Sequence, residues 1–290
     1  MILVQMCFEI IHLHVIRPGI LYMLTATAGF AVVNFLVKFL DHIPTSEIVF
    51  FRSLITLVLT AGMVIHKGLP FFGNNHFWLL VRGVFGASAL ILFFYTLKEL
   101  PMATATTVQY LSPVFTVVIA MFLVGEKVKP IRWVFFVVSF AGLLMMEGYQ
   151  EKPNWTFLWL GVLSAFLSAV AYNAIIKCRD TDHPYTVVMA FPLIAAPITG
   201  IWAMNEWVQP QGVDWVYLLL IGLFTQVAQV FMTMALHAEK AAVITPFKYL
   251  GTVYALLLGY LFFDETFTFM SLIGMFIVVI SVVVNALVKS

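Results

Sequence analysis

The sequence predicts an all-α integral membrane protein of ten transmembrane helices, arranged as two inverted five-helix repeats. Three observations lead there. Hydrophobic types make up 62% of the 290 residues, while Asp, Glu, Lys and Arg together make up 10%. Soluble domains run at about 45–50% and about 25%. The apolar residues fall in continuous runs of spanning length, and the chain matches itself, polar residues included, at one fixed offset.

A chain so poor in charge cannot cover itself for water. Ten spans of roughly 20 residues use about 200 residues, which leaves room for loops but not for a soluble domain. The runs fall at about 20–40, 47–65, 77–97, 103–124, 131–148, 156–177, 185–204, 214–236, 241–263 and 268–288. Breaks between them carry turn chemistry, as in Asp41-His42-Ile43-Pro44 and Gly125 to Pro130. A closed barrel would need alternating rather than continuous apolarity. Residues 1–18 read as an interfacial lead-in, because Glu9, His12 and His14 break their apolarity and no signal-type cleavage site follows. The repeats then occupy 19–150 and 151–290.

The net charge of +1 and the lack of a basic block argue against nucleic acid as a partner. Cys7 and Cys178 have no metal-type spacing, and nothing in the sequence calls for a metal or cofactor. Lysine and arginine set the orientation. With the N-terminus inside, Arg17, Lys67, Lys127, Lys129, Arg132, Lys177, Arg179, Lys240 and Lys289 are cytoplasmic, against Lys38, Lys98 and Lys152 outside. Both termini are then cytoplasmic and the protein is multi-pass in the plasma membrane, the inner membrane in a bacterium.

At an offset of 139, Asn34, Lys38 and Asp41 fall on Asn173, Lys177 and Asp180. Thr106, Tyr110, Leu111, Val114 and Glu126 fall on Thr245, Tyr249, Leu250, Val253 and Glu265. Apolar matches are cheap in a membrane protein; polar coincidences at one offset are not. Five spans are an odd number, so the second copy inserts upside down. Inverted repeats about an axis in the membrane plane are the architecture of alternating-access carriers, with the solute site between the halves. Duplication of a packing unit is the plainer alternative.

The stretch Arg82-Gly83, Tyr95 to Ala105, Ser112-Pro113-Val114-Phe115 and Gly125-Glu126 resembles the EamA-type branch of the drug/metabolite transporter superfamily. Phe51-Arg52, Gly142, Ala241-Ala242, Tyr249 and Phe263-Asp264-Glu265 suit the same pattern. The resemblance covers about 19 to 288. It implies ten helices in two inverted repeats, with export or uptake of small metabolites. It also implies a central cavity lined mainly by spans 1, 3, 4, 6, 8 and 9, with spans 5 and 10 to the side. One departure is that Pro113 has Thr252 as its counterpart, while the proline of span 9 sits at Pro246.

Lys248 is the sharpest candidate for solute contact, roughly 10 Å into span 9, and its repeat counterpart is the neutral Gln109. Such depth normally means a cavity, unless the side chain snorkels to the interface. Thr245, Lys248 and Thr252 share a helical face at i, i+3 and i+7, as do Thr106, Gln109 and Pro113. Gln226, Gln229 and Thr233 form a third stripe; substrate contact and structural hydrogen bonding both fit. Asn34 and Asn173 can bind solute or brace their spans. Among the tyrosines, Tyr95, Tyr110, Tyr172 and Tyr249 suit stacking on a solute, the repeat-matched Tyr110 and Tyr249 most of all. Arg52 reads as a local ion pair with Glu47, and Arg82 as a side chain reaching the cytoplasmic interface.

No Asp or Glu lies in the middle third of any span. Cation-coupled carriers commonly place one there, so facilitated transport or exchange is favoured. The deep charge is positive, and a solute with a carboxylate or phosphate, such as an amino acid or nucleotide-related compound, would neutralise it. The expected protein is an alternating-access secondary transporter, an exporter, facilitator or exchanger, working as a monomer or homodimer among membrane lipids. A lipid flippase or multidrug exporter is the alternative. An enzyme is not expected, for the chain has no His-Glu-x-x-His motif and no intramembrane aspartate pair.

Overall fold

Apolar runs without competing polar side chains leave the backbone no partner but itself, and in a membrane only a helix satisfies every N–H and C=O within one segment. The computed structural model describes residues 17–100, 105, 108–147, 155–263 and 268–288. All regular structure among them is helical. Helices α1 (Pro18–Val37), α2 (Thr45–His66), α3 (His76–Glu99), α4 (Ser112–Leu123) and α5 (Pro130–Glu147) form the first half. The second half holds α6 (Trp155–Lys177), α7 (Pro184–Ala203), α8 (Asp214–Ala238), α9 (Leu250–Phe263) and α10 (Phe269–Leu287). Seven of these are long and apolar enough to cross a membrane, and Ser112–Leu123 and Pro130–Met145 are shorter apolar helices. Of the lead-in expected at 1–18, residues 1–16 lie outside the described residues, and Pro18 already belongs to α1.

The helix starts follow local chemistry. Proline opens α1 and α7, where a missing N–H is harmless. Thr268 caps α10 by accepting the Ser271 N–H at 3.1 Å. The helix α7 runs unbroken through Pro192 and Pro197. The segment expected as one span at 241–263 begins differently. A four-residue helix, Ala241–Ile244, passes into a 3-10 segment, Thr245–Tyr249, before α9 starts. Glu126, from the loop after α4, anchors this entry by accepting the Ala241 N–H through both oxygens at 3.2 and 3.1 Å.

Packing joins the halves. The most extensive helix pairs are α1 with α8, α3 with α6, α2 with α7 and α5 with α10. Next come α2 with α8, α3 with α7, α4 with α6 and α1 with α9. Exchanging the two halves turns this set of pairs into itself. The match extends to single atoms: a Cβ on Gly222 would lie 2.5 Å from Ile55 Cγ2, and one on Gly83 2.6 Å from Ile194 Cδ1. Both the glycines and the isoleucines are 139 residues apart.

Both ends of the bundle carry contacts between the halves. At the end holding the α2–α3 and α6–α7 turns, Asp182 accepts the N–H groups of Asn74 and Asn75. There Arg17 also pairs with Glu239 at 3.3 Å. At the opposite end, Glu47 accepts the Val208 N–H at 3.0 Å and His42 meets Asp214 at 3.1 Å. Val37 and Thr45, near these contacts, belong to the lining of a cavity between the halves.

Candidate functional site

The cavity measures about 310 Å³ and lies between the halves. Three stripes define its walls, each at helical spacing. Thr27, Phe30, Ala31, Asn34 and Val37 come from α1; Thr45, Ile48, Val49 and Arg52 from α2; Arg82, Gly86, Ala89, Leu90, Phe93 and Phe94 from α3. Gln109, Tyr110, Ser168, Tyr172, Phe191, Gln229 and Lys248 complete most of the lining. Among the described residues that line it, none is acidic. Arg52, Arg82 and Lys248 all face one space without a carboxylate.

Each cation is held in its own way. Lys248 Nζ sits 4.0 Å from the centre of the Tyr172 ring and 3.5 Å from Ser112 Oγ. An ammonium over an aromatic face is stabilised by the ring quadrupole, but its charge is not cancelled. Arg82 is 2% exposed; its Nη2 donates to Gln229 Oε1 at 3.0 Å, and its guanidinium carbon lies 5.2 Å from the Phe191 ring centre. The Nε atoms of both Arg52 and Arg82 are buried without a hydrogen-bond acceptor. A buried charged donor left so is strongly disfavoured unless a partner arrives.

Two expectations are corrected here. Arg52 does not pair with Glu47, which turns to Val208 and leaves its other oxygen without a partner. Five residues on a helix are about 140° of rotation, so the two side chains leave α2 on different faces. Arg82 does not reach the interface; the stripe it shares with Gly86 and Leu90 points inward.

The other candidates divide. Lys248, Gln109, Tyr110, Gln229 and Asn34 line the cavity. Gln109 is oriented by donating to Ser168 Oγ at 2.9 Å and accepting from Ser164 Oγ at 3.1 Å. Gln226 instead accepts from Thr60 Oγ1 at 2.8 Å, tying α8 to α2. Asn173 donates to the Thr116 and Ala169 carbonyls at 3.0 and 2.9 Å, tying α6 to α4. Thr245 donates to Ala241 O. Tyr249 is fully buried, its ring 5.8 Å from Tyr110 and its hydroxyl without a partner. Tyr95 is exposed on the outer surface beside Phe157, 5.7 Å away. Thr106 lies outside the described residues.

Arg52 and Arg82 line the cavity, whereas the sequence suggests a structural role for each. The offset of 139 could have found them. Five repeat-related pairs have both members on the cavity: Val33 and Tyr172, Arg52 and Phe191, Arg82 and Ile221, Leu90 and Gln229, Gln109 and Lys248.

Comparison with known proteins places the fold in a family. The pseudopaline exporter CntI of Pseudomonas aeruginosa is 30% identical over 272 residues, covering 93% of this chain and 96% of its own. The riboflavin transporter of Rhizobium johnstonii is 28% identical over 251 residues, covering 84% and 83%. A solved crystal structure superposes with a TM-score of 0.82 at 18% identity, covering 93% of this chain and 96% of that one, which speaks for the fold alone. Residues 17–147 and 155–287 each match one family description. The protein is a multi-pass membrane protein that belongs to the EamA-like transporter family.

Proposed function

We propose that this protein is a secondary transporter that moves a small polar metabolite bearing a carboxylate or phosphate by alternating access. The observation that carries the reading is the cavity itself, where Arg52, Arg82 and Lys248 meet without a carboxylate among the described lining residues. Cations at membrane depth with no carboxylate beside them are best neutralised by the cargo. Arg52 and Arg82 line the cavity, and guanidinium binds carboxylate and phosphate with matched geometry.

Ten spans in two inverted repeats supply the moving parts. Helix pairs that exchange under the repeat allow one set to rock against the other around a fixed central site. The end bearing Arg17, Lys67, Lys127, Lys129 and Lys240 is cytoplasmic by the charge rule. The cavity lining runs toward Val37 and Thr45, while Asp182, Glu126 and Glu239 make contacts at the inner end, which supports reading this conformation as outward-facing.

The test is thermal stabilisation of the purified protein by amino acids, nucleotides, organic acids, cationic drugs and lipids. A ligand that binds the folded state raises apparent stability by mass action, about 2.7 kcal/mol at a hundred times Kd. A small anion should raise Tm of the wild type, and Lys248→Gln should lose most of that shift. Stabilisation by lipids or cations alone, equal in both proteins, rejects the anion site and favours lipid or drug transport.

A further inference from the structure

We infer that the transported anion is amphipathic and enters head first. Its carboxylate or phosphate is held by Arg52, Arg82 and Lys248, and its apolar body lies along Leu90, Phe93 and Phe94. The inference rests on the transport reading above and adds a polarity to that same site.

The first support is the inequality of the repeat-related lining positions. In every one of the five pairs, one residue is charged or polar and its counterpart is less so: Arg52 against Phe191, Arg82 against Ile221, Lys248 against Gln109, Gln229 against Leu90, Tyr172 against Val33. The stronger polar members also gather. Arg82 bonds Gln229 at 3.0 Å, and Lys248 lies 4.0 Å from the centre of the Tyr172 ring. A two-fold pseudo-symmetric shell therefore carries a one-sided chemistry, which a solute with like ends would not exploit.

The second support is the gradient along the helices. On α3 the stripe starts at Arg82 and ends at Phe93 and Phe94, twelve residues or about 18 Å further on. On α2, which runs the opposite way, Arg52 is the last residue of the stripe after Thr45, Ile48 and Val49. Both helices thus put the guanidinium at the inner end, with Ile48 and Val49 on α2 and Leu90, Phe93 and Phe94 on α3 further out and Thr45 at the outer end of α2. Gly86 helps to shape the inner end: a Cβ there would lie 2.8 Å from Arg82 Nη1 and 2.9 Å from the Phe191 ring. A solute polar throughout would leave the phenylalanines without gain from burial, and one apolar throughout would leave the guanidinium donors unmatched.

The test measures Kd of the full-length protein in nanodiscs by calorimetry. The probes are straight-chain monocarboxylates from acetate to octanoate and 3-phenylpropionate, with succinate and inorganic phosphate as polar anions. Each added methylene should tighten binding about three- to fourfold until the cavity is filled. Arg82→Gln should weaken the whole series by at least about tenfold and keep its slope, and Leu90→Asn should flatten the slope. Arg52→Gln stands in for Arg82→Gln if losing the Gln229 bond prevents folding. A flat slope, with succinate or phosphate as tight as octanoate, overturns the amphipathic inference while the anion-transport reading survives. A slope that persists unchanged in all three variants is partition into lipid and also overturns it. If no anion binds at all, both readings fail together.

Discussion

Arg52 and Arg82, placed in the proposed site, are a burden on the empty protein. Their Nε–H groups are buried without acceptors, and such a donor is disfavoured by about 1–3 kcal/mol. Arg52→Met keeps much of the volume and removes the charge, so it should raise Tm of the ligand-free protein while anion-dependent stabilisation disappears. A differential scanning measurement with and without the anion checks both halves of that expectation. If Tm falls instead, Arg52 has a structural partner and its place in the site is mistaken. At this scale the sequence was legible only in part. Lys248 and Gln109 could be picked out because charge at depth is rare and the repeat marks the position. Gln226 and Gln229 could not be separated, because they lie on neighbouring faces of α8 and only Thr60, supplied by α2, decides that Gln226 is a brace. Asn34 and Asn173 are likewise repeat mates. The first faces the cavity, while the second is spent on the Thr116 and Ala169 carbonyls.

At the scale of elements, glycine sets how closely the halves approach. Gly222→Ala would press a methyl onto the branched end of Ile55, and Gly83→Ala onto Ala190 O at 2.5 Å. Overpacking of this kind is worth about 1–3 kcal/mol. Both variants should lower Tm, Gly83→Ala the more, because a backbone carbonyl yields less than a side chain. Unchanged Tm in both would mean that α3 and α8 sit further from α7 and α2 than described. The broken entry to α9 responds to pH through Glu126. Burial pushes its carboxyl above the ordinary range, against the opposing pull of the Ala241 and Ala242 N–H groups and the Arg179 and Lys240 charges. For a raised acid the contribution to stability is full below the unfolded value, near 4.5, and is lost as pH rises through the folded value. Tm of Glu126→Gln minus Tm of wild type should therefore increase from about pH 4 to about pH 7; a flat difference refutes the linkage. Hydropathy located most of the helices to within two or three residues. It did not reveal the 3-10 segment Thr245–Tyr249, because an apolar run reads alike whether its turns are regular or tight.

For the molecule as a whole, the two ends must close in turn if the central cavity is to serve both sides. At the inner end Asp182 gathers the Asn74 and Asn75 N–H groups, and four residues earlier Cys178 is fully buried. Burial, with the nearby Asp182 charge, pushes that thiol up to about 12, so it should be inert to maleimide at neutral pH. Asp182→Ala, made on a Cys7→Ser background, should loosen this end and speed Cys178 labelling by about tenfold or more. An anion that binds the cavity should slow it again if binding favours closure. A labelling rate equal to that of the parent would remove Asp182 from the inner closure.

The cross-half packing also has a consequence for biogenesis. Because α1 seats on α8, α2 on α7, α3 on α6 and α5 on α10, the first five helices leave the ribosome before any of their principal partners exist. They must wait in the bilayer as separately inserted helices, and the native core can form only when the later helices thread between them. Assembly is thus a late, collective event, and a nascent chain halted after the first repeat should be a ready target for membrane quality control.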